Sequence, residues 1–175
     1  MSSSDRGSRA GVLRVLTALT MPLFATGCFQ PLYSEASHPG LVADMRAIAV
    51  DPIPDRFGHY LTSDLITDLN GTGSTPEPKY RLKVTLTQSV QTPTIESQIN
   101  AADAATVTAT AHFILTPAGG GEPIINRVAS STAVYDRTTQ RFADLRAQRD
   151  VELRLSRALA AEIELRVAAG LAEKH

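Results

Sequence analysis

Residues able to carry covalent or acid–base chemistry are few and scattered in this chain. The single Cys, Cys28, closes an apolar run. One thiol excludes an intramolecular disulfide framework and any multi-Cys zinc site. The four His stand at 38, 59, 112 and 175, without metal-ligand spacing. Asp55 and His59 lie four apart at an expected helix start, where a solvated pair is a simpler account than an acid–base dyad. Asp64 and Asp68 repeat at the same interval, as the polar flank of a helix does. There is no G-x-S-x-G elbow and no P-loop. Gly119-Gly120-Gly121 joins two expected strands, so it lacks the helix N-terminus that a phosphate cradle uses. Neither catalysis nor a metal or cofactor is expected from these residues.

Cys28 has another chemistry open to it, acylation. Arg6, Arg9 and Arg14 precede an apolar stretch from Val15 to Ala25, the basic and apolar regions of a signal peptide. Eleven residues at 1.5 Å each fall short of the about 20 that a spanning helix needs, and Pro22 interrupts them. Ala25-Thr26-Gly27-Cys28 resembles a bacterial lipobox, with Ala25 where Leu is usual. The resemblance implies a leader over 1–27, cleavage before Cys28, and palmitate-type acylation of the new N-terminus. More than one acyl chain makes a stable anchor. Phe29, in place of Asp, implies the outer membrane by lipoprotein sorting rules. Residues 28–41 carry Pro, Ser and Gly without period and read as a lipidated tether; the domain then spans 42–175.

A third group is electrostatic. Lys79, Arg81 and Lys83 alternate with Tyr80, Leu82 and Val84, so a strand presents the three cations on one face and buries the other. Thr106, Thr108, Thr110 and His112 form a similar polar face in a second strand. Such a stripe either binds an anionic headgroup by charge-assisted hydrogen bonds or protects an open sheet from aggregation.

Positioning these residues requires a folded core. The chain has 175 residues, 43% hydrophobic and 20% charged, the composition of one globular domain. A formal charge of −1 and the absence of Trp argue against a nucleic-acid platform. Met45–Val50 reads as a short strand ended by Asp51-Pro52-Ile53-Pro54. Asp55 is the expected N-cap of a helix carrying Phe57, Tyr60, Leu61, Leu65, Ile66 and Leu69, with Asn70-Gly71 as its stop. Strands follow at Lys79–Gln88, Ala104–Thr116 and Ile124–Tyr135, the last with a bulge expected near Arg127–Ser131. Residues 90–103 read either as extended hairpin arms or as a loop. A long helix from about Gln140 to Ala169 holds Leu155, Leu159, Ile163 and Val167, preceded by Leu145 and Val151, with Gly170 as its expected stop. The sum is an α+β two-layer sandwich of order β-α-β-β-β-α, two helices on one face of a mixed four-stranded sheet.

Cys28-Phe29-Gln30-Pro31-Leu32-Tyr33 resembles the mature start of the LptE family of lipopolysaccharide-assembly lipoproteins, which reads Cys-Gly-Phe-Gln-Pro-Leu-Tyr; the Gly is missing here. The resemblance continues through Arg56-Phe57-Gly58, Ala133-Val134-Tyr135-Asp136 and Arg141-Phe142-Ala143-Asp144 into the terminal helix, and covers nearly the whole mature chain. It implies a lipoprotein on the periplasmic side of the outer membrane, in a one-to-one complex with an LptD-like β-barrel. There it would plug the barrel, help its assembly and assist lipopolysaccharide delivery. It also implies basic residues for lipopolysaccharide contact, with Lys79, Arg81, Lys83 and Arg127 as candidates. An auxiliary lipoprotein of a phospholipid transport system, a lipid-anchored periplasmic enzyme and a purely structural lipoprotein with no ligand are the alternatives.

Overall fold

The computed structural model describes residues 40–71, 77–92 and 104–174. The leader, Cys28, the tether as far as residue 39 and most of 90–103 lie outside the described residues. The elements in order are α1 (Leu41–Arg46), β1 (Ile48–Val50), α2 (Asp55–Asn70), β2 (Tyr80–Gln91), β3 (Ala104–Pro117), β4 (Ile125–Asp136) and α3 (Arg141–Ala172). The strands form one sheet in the order β1-β2-β3-β4. β1 pairs with β2 in parallel; the other two pairings are antiparallel. This is the α+β sandwich expected from the alternation, with one helix more.

That extra helix corrects the strand expected at Met45–Val50. Leu41 and Met45 stand four apart and are both buried, which a helix places on one face. Leu41, the last residue of the expected tether, is therefore part of the core. Only Ile48–Val50 remain extended.

One face of the sheet is covered and the other is open. Leu82 and Val84 of β2, Val107 to Leu115 at alternate positions of β3, and Ile125 and Ala129 of β4 point to the covered side. Phe57, Leu61, Leu65 and Leu69 of α2 and Leu155, Leu159, Ile163 and Val167 of α3 meet them in a single apolar cluster. The long helices run side by side in the same direction. Arg56 bonds Glu152, and Asp64 accepts from Ser156 one turn or more further along each helix.

Local details explain three departures from expectation. Asp55 does not cap α2: Pro54 holds the N-cap position, and Asp55 takes a left-handed φ of 71°. The turn is held by Thr62 instead, whose hydroxyl accepts from Ile53 N–H and donates to Gly58 O. Gly170 does not stop α3, which runs on to Ala172. A Cβ at Gly170 would lie 2.6 Å from Ile125 Cδ1, so this Gly lets helix and sheet approach closely. β4 has no bulge, since its pairing with β3 is continuous from Ile125 to Asp136. The blurred alternation reflects exposed polar side chains on an edge strand.

The sheet edges follow from the same register. Asp51 N–H donates to Leu82 O at 2.9 Å, so even-numbered residues of β2 turn their peptide groups toward β1. Odd-numbered ones then face β3. Carried across both pairings, even-numbered residues of β4 face the free edge. Arg154 of α3 donates to Val134 O at 3.2 Å and Arg166 to Val128 O, both on that edge.

Candidate functional site

The open face of the sheet is hydroxyl-rich. In β3, Thr106, Thr108, Thr110 and Thr116 alternate outward with His112 and Ile114, flanked by Thr85, Thr87 and Ser89 of β2 and by Ser130 and Thr132 of β4. Cross-strand hydroxyl pairs join Thr108 to Thr132 at 3.1 Å and Thr110 to Ser130 at 3.5 Å. His112 Nε2 and Asn126 Oδ1 are hydrogen-bonded at 2.7 Å. A polar, helix-free sheet face of this kind stays wet or meets a hydrated surface.

Arg81 and Lys83 stand at one side of that face, beside the end of β1. After Val50 the chain leaves the sheet through Asp51-Pro52-Ile53-Pro54, and β1 pairs with β2 only as far as Leu82. A shallow groove opens there, lined by Asp51, Pro52, Pro54, Arg81, Lys83 and Thr85 among others. Arg81 reaches Asp51 at 3.5 Å, and both side chains stay accessible. Lys83 makes no ion pair with a described residue. The groove therefore offers one cation in a weak, exposed pair and one unengaged ammonium, with Thr hydroxyls beside them. These groups can hydrogen-bond phosphate oxygens or a hydrated sugar.

The other two candidates lie apart. Lys79 Nζ is 2.7 Å from Asp44 Oδ1, a carboxylate on α1 that is almost fully buried. Hydrogen bonding to Asp44, and then its charge, raise the Lys79 pKa. Tyr80 also reaches Asp44, at 3.4 Å. Burial first, and then the Asp44 charge, push its phenol up. Lys79 thus ties α1 to the start of β2, with its side chain still largely accessible. Arg127 pairs with Phe113 in the register and so belongs to the helix-covered side, at its edge. It lines a different depression with Arg166, Glu173 and Gly170. Of the four sequence candidates, the fold gathers only Arg81 and Lys83.

Among the described residues no group of three or more His, Cys, Asp or Glu could hold a metal ion. No described helix is long and apolar enough to cross a membrane. Two features escaped the sequence reading. Asp44, 35 residues from Lys79, had no local signal. The arginines around Phe142 at the start of α3 form no binding motif in the sequence.

No family model matches the chain, and no curated protein does. Its fold is similar to solved structures. One is a protein described as a lipoprotein from Caulobacter crescentus, at 20% identity and a TM-score of 0.63, covering 76% of this chain and 96% of that one. Another is a minor lipoprotein from Acinetobacter baumannii, at 15% identity and a TM-score of 0.55, covering 71% and 91%. The rare lipoprotein B from Shewanella oneidensis overlaps less well, at 13% identity and a TM-score of 0.41. At these identities the first two matches establish a shared fold.

Proposed function

We propose that this protein is an outer-membrane lipoprotein of the LptE type, acylated at Cys28, that plugs an LptD-like β-barrel and assists lipopolysaccharide delivery. The observation that carries the reading is Cys28-Phe29-Gln30-Pro31-Leu32-Tyr33, set ahead of a two-layer domain whose fold is shared with the lipoproteins above. The acyl anchor holds the domain beside the barrel, which raises its effective concentration there. The hydroxyl-rich open face suits a water-lined lumen. Arg81 and Lys83 supply the cations for an anionic headgroup; Lys79 and Arg127 drop out of that role.

Affinity purification of the tagged protein from outer membranes tests this reading. The expected result is one β-barrel protein recovered in equal amount, with Cys28 acylated at the mature N-terminus by mass spectrometry. Recovery of a lipid transporter's subunits without a barrel would replace the reading by the transport-system alternative.

A further inference from the structure

The first ten residues of α3 run beyond the core. From Arg141 to Asp150 no residue is buried, and Val151 is the first that is. At 1.5 Å per residue this overhang is about 15 Å long. It carries two of the exposed large apolar side chains of the helix, Phe142 at 83% and Leu145 at 52% accessible, while Leu165 lies apart near the other end. Phe142, Leu145, Arg146 and Arg149 fall at i, i+3, i+4 and i+7, one stripe of the helix. At about 100° per residue, Val151 lies on the opposite side, so the stripe points away from the sheet. With Arg56 of α2 and Ala143, these residues line a shallow groove.

The charge on the stripe is one-signed. Arg146 and Arg149 make no ion pair with a described residue, and exposed Arg137 and Arg141 flank them. Of the carboxylates in this part of the helix, Asp144 keeps one oxygen buried without a partner among the described residues, and the remaining acceptors are engaged. Asp144 accepts from Gln148 at 2.7 Å, Asp150 pairs with Arg154 at 2.9 Å, and Glu152 pairs with Arg56 at 2.8 Å. Only the sheet-facing side of these ten residues, which includes Asp144 and Gln148, is partly buried, so the stripe on the opposite side gains little from the domain it belongs to. Its apolar side chains leave water only if something outside the domain receives them.

The geometry points to an anionic bilayer surface as the occupant: the overhang lies on the membrane with Phe142 and Leu145 in the acyl boundary and the arginines on lipid phosphates. Side chains of this kind at an interface reach about 5–10 Å into the headgroup region, and guanidinium groups bind phosphate oxygens in pairs. A stripe of four side chains along a shallow groove is much smaller than the ~800 Å² per partner of a stable protein complex. An interfacial helix needs only such a stripe. The inference rests on the overhang alone and holds whether or not Cys28 is acylated or a barrel is bound.

A site-specific probe tests it in the full chain. Cys28→Ser removes the only thiol, and Ala143→Cys places one beside Phe142 for a polarity-sensitive fluorophore. Ser130→Cys on the open sheet face serves as the control. Residues 1–27 are common to every variant, so any partitioning of their own cancels. Vesicles of phosphatidylcholine with phosphatidylglycerol should shift the label at 143 to the blue and leave the label at 130 unchanged. Each arginine near an anionic surface contributes about a fivefold factor in binding. Arg146→Ser with Arg149→Ser should therefore raise the half-saturating lipid concentration at least tenfold, by this ~fivefold-per-residue factor. Phe142→Ser with Leu145→Ser should abolish the shift with the circular dichroism unchanged. No shift at 143, an equal shift at 130, or full binding by the double-arginine variant overturns the proposal. So does a vesicle-independent shift that grows with protein concentration, which would assign the stripe to a second copy.

Discussion

Lys79 and Lys83 are the same residue type on the same strand line, yet the fold gives them different work. Lys83 is a solvated cation beside the groove, while Lys79 is bound to the buried Asp44. Arg81→Ser with Lys83→Ser should leave the melting temperature unchanged and weaken lipopolysaccharide binding by at least about tenfold at low salt, the worth of roughly one charge-assisted hydrogen bond. The deficit should narrow as salt screens the charges. Isothermal titration at two ionic strengths reads both effects. Lys79→Ser should do the reverse, lowering the melting temperature with little change in binding. Its pH dependence has a definite sign. A lysine whose folded pKa is raised contributes stability below its ordinary value near 10.4, and loses it as pH rises through the folded one. The alternation that exposed this stripe was legible in the sequence. That Asp44 would hold one of its cations was not, because Asp44 belongs to another element.

Two glycines decide how the helices sit. A Cβ at Gly58 would lie 2.8 Å from Ile53 O and 2.9 Å from its carbonyl carbon, and backbone cannot swing aside. Gly58→Ala should therefore destabilise by about 1–3 kcal/mol in urea unfolding, despite a gain of about 1 kcal/mol in helix propensity. At Gly170 the obstacle is the tip of Ile125, which can rotate, so Gly170→Ala should cost less. Leu159, fully buried between α3 and the sheet, offers the harsher test: Leu159→Asp should cost more than about 4 kcal/mol by placing an unpaired carboxylate in the core. The four-residue recurrence of Leu155, Leu159, Ile163 and Val167 showed this face in the sequence, as strict alternation showed β2 and β3. The strand expected at Met45–Val50 and the bulge expected in β4 share one physical root: short or edge elements carry too little burial to impose a period. Leu41 and Met45 give a single helical repeat, which an alternating strand can mimic. In β4 the inward positions include Arg127, and only Ile125 and Ala129 there are buried.

Across the whole domain, α2 and α3 bring acidic side chains together along their shared seam. Lost hydration on the helix-facing side, and then Asp64, raise the Asp68 carboxyl, although its outer edge stays exposed. Burial, and then Asp68, raise that of Glu164. The folded domain therefore retains protons that the unfolded chain releases. Stability from these groups is greatest below the ordinary carboxyl values near 4, and it falls as pH rises through the folded ones. Asp68→Asn and Glu164→Gln should each stabilise the protein at pH 7, with the advantage shrinking toward pH 5 in parallel thermal melts.

β4 is a long edge strand, and its outward carbonyls at Val128 and Val134 accept from Arg166 and Arg154. An unpaired strand edge is a template for another chain. The guanidinium groups occupy two of its acceptors and place positive charge along it, so a second molecule approaching edge to edge meets both blockage and repulsion. What looks like helix-to-sheet bonding is also a colloidal safeguard. Arg154→Ala with Arg166→Ala should leave the monomer folded by circular dichroism and make it self-associate with concentration in analytical ultracentrifugation, through the strand that the arginines had kept closed.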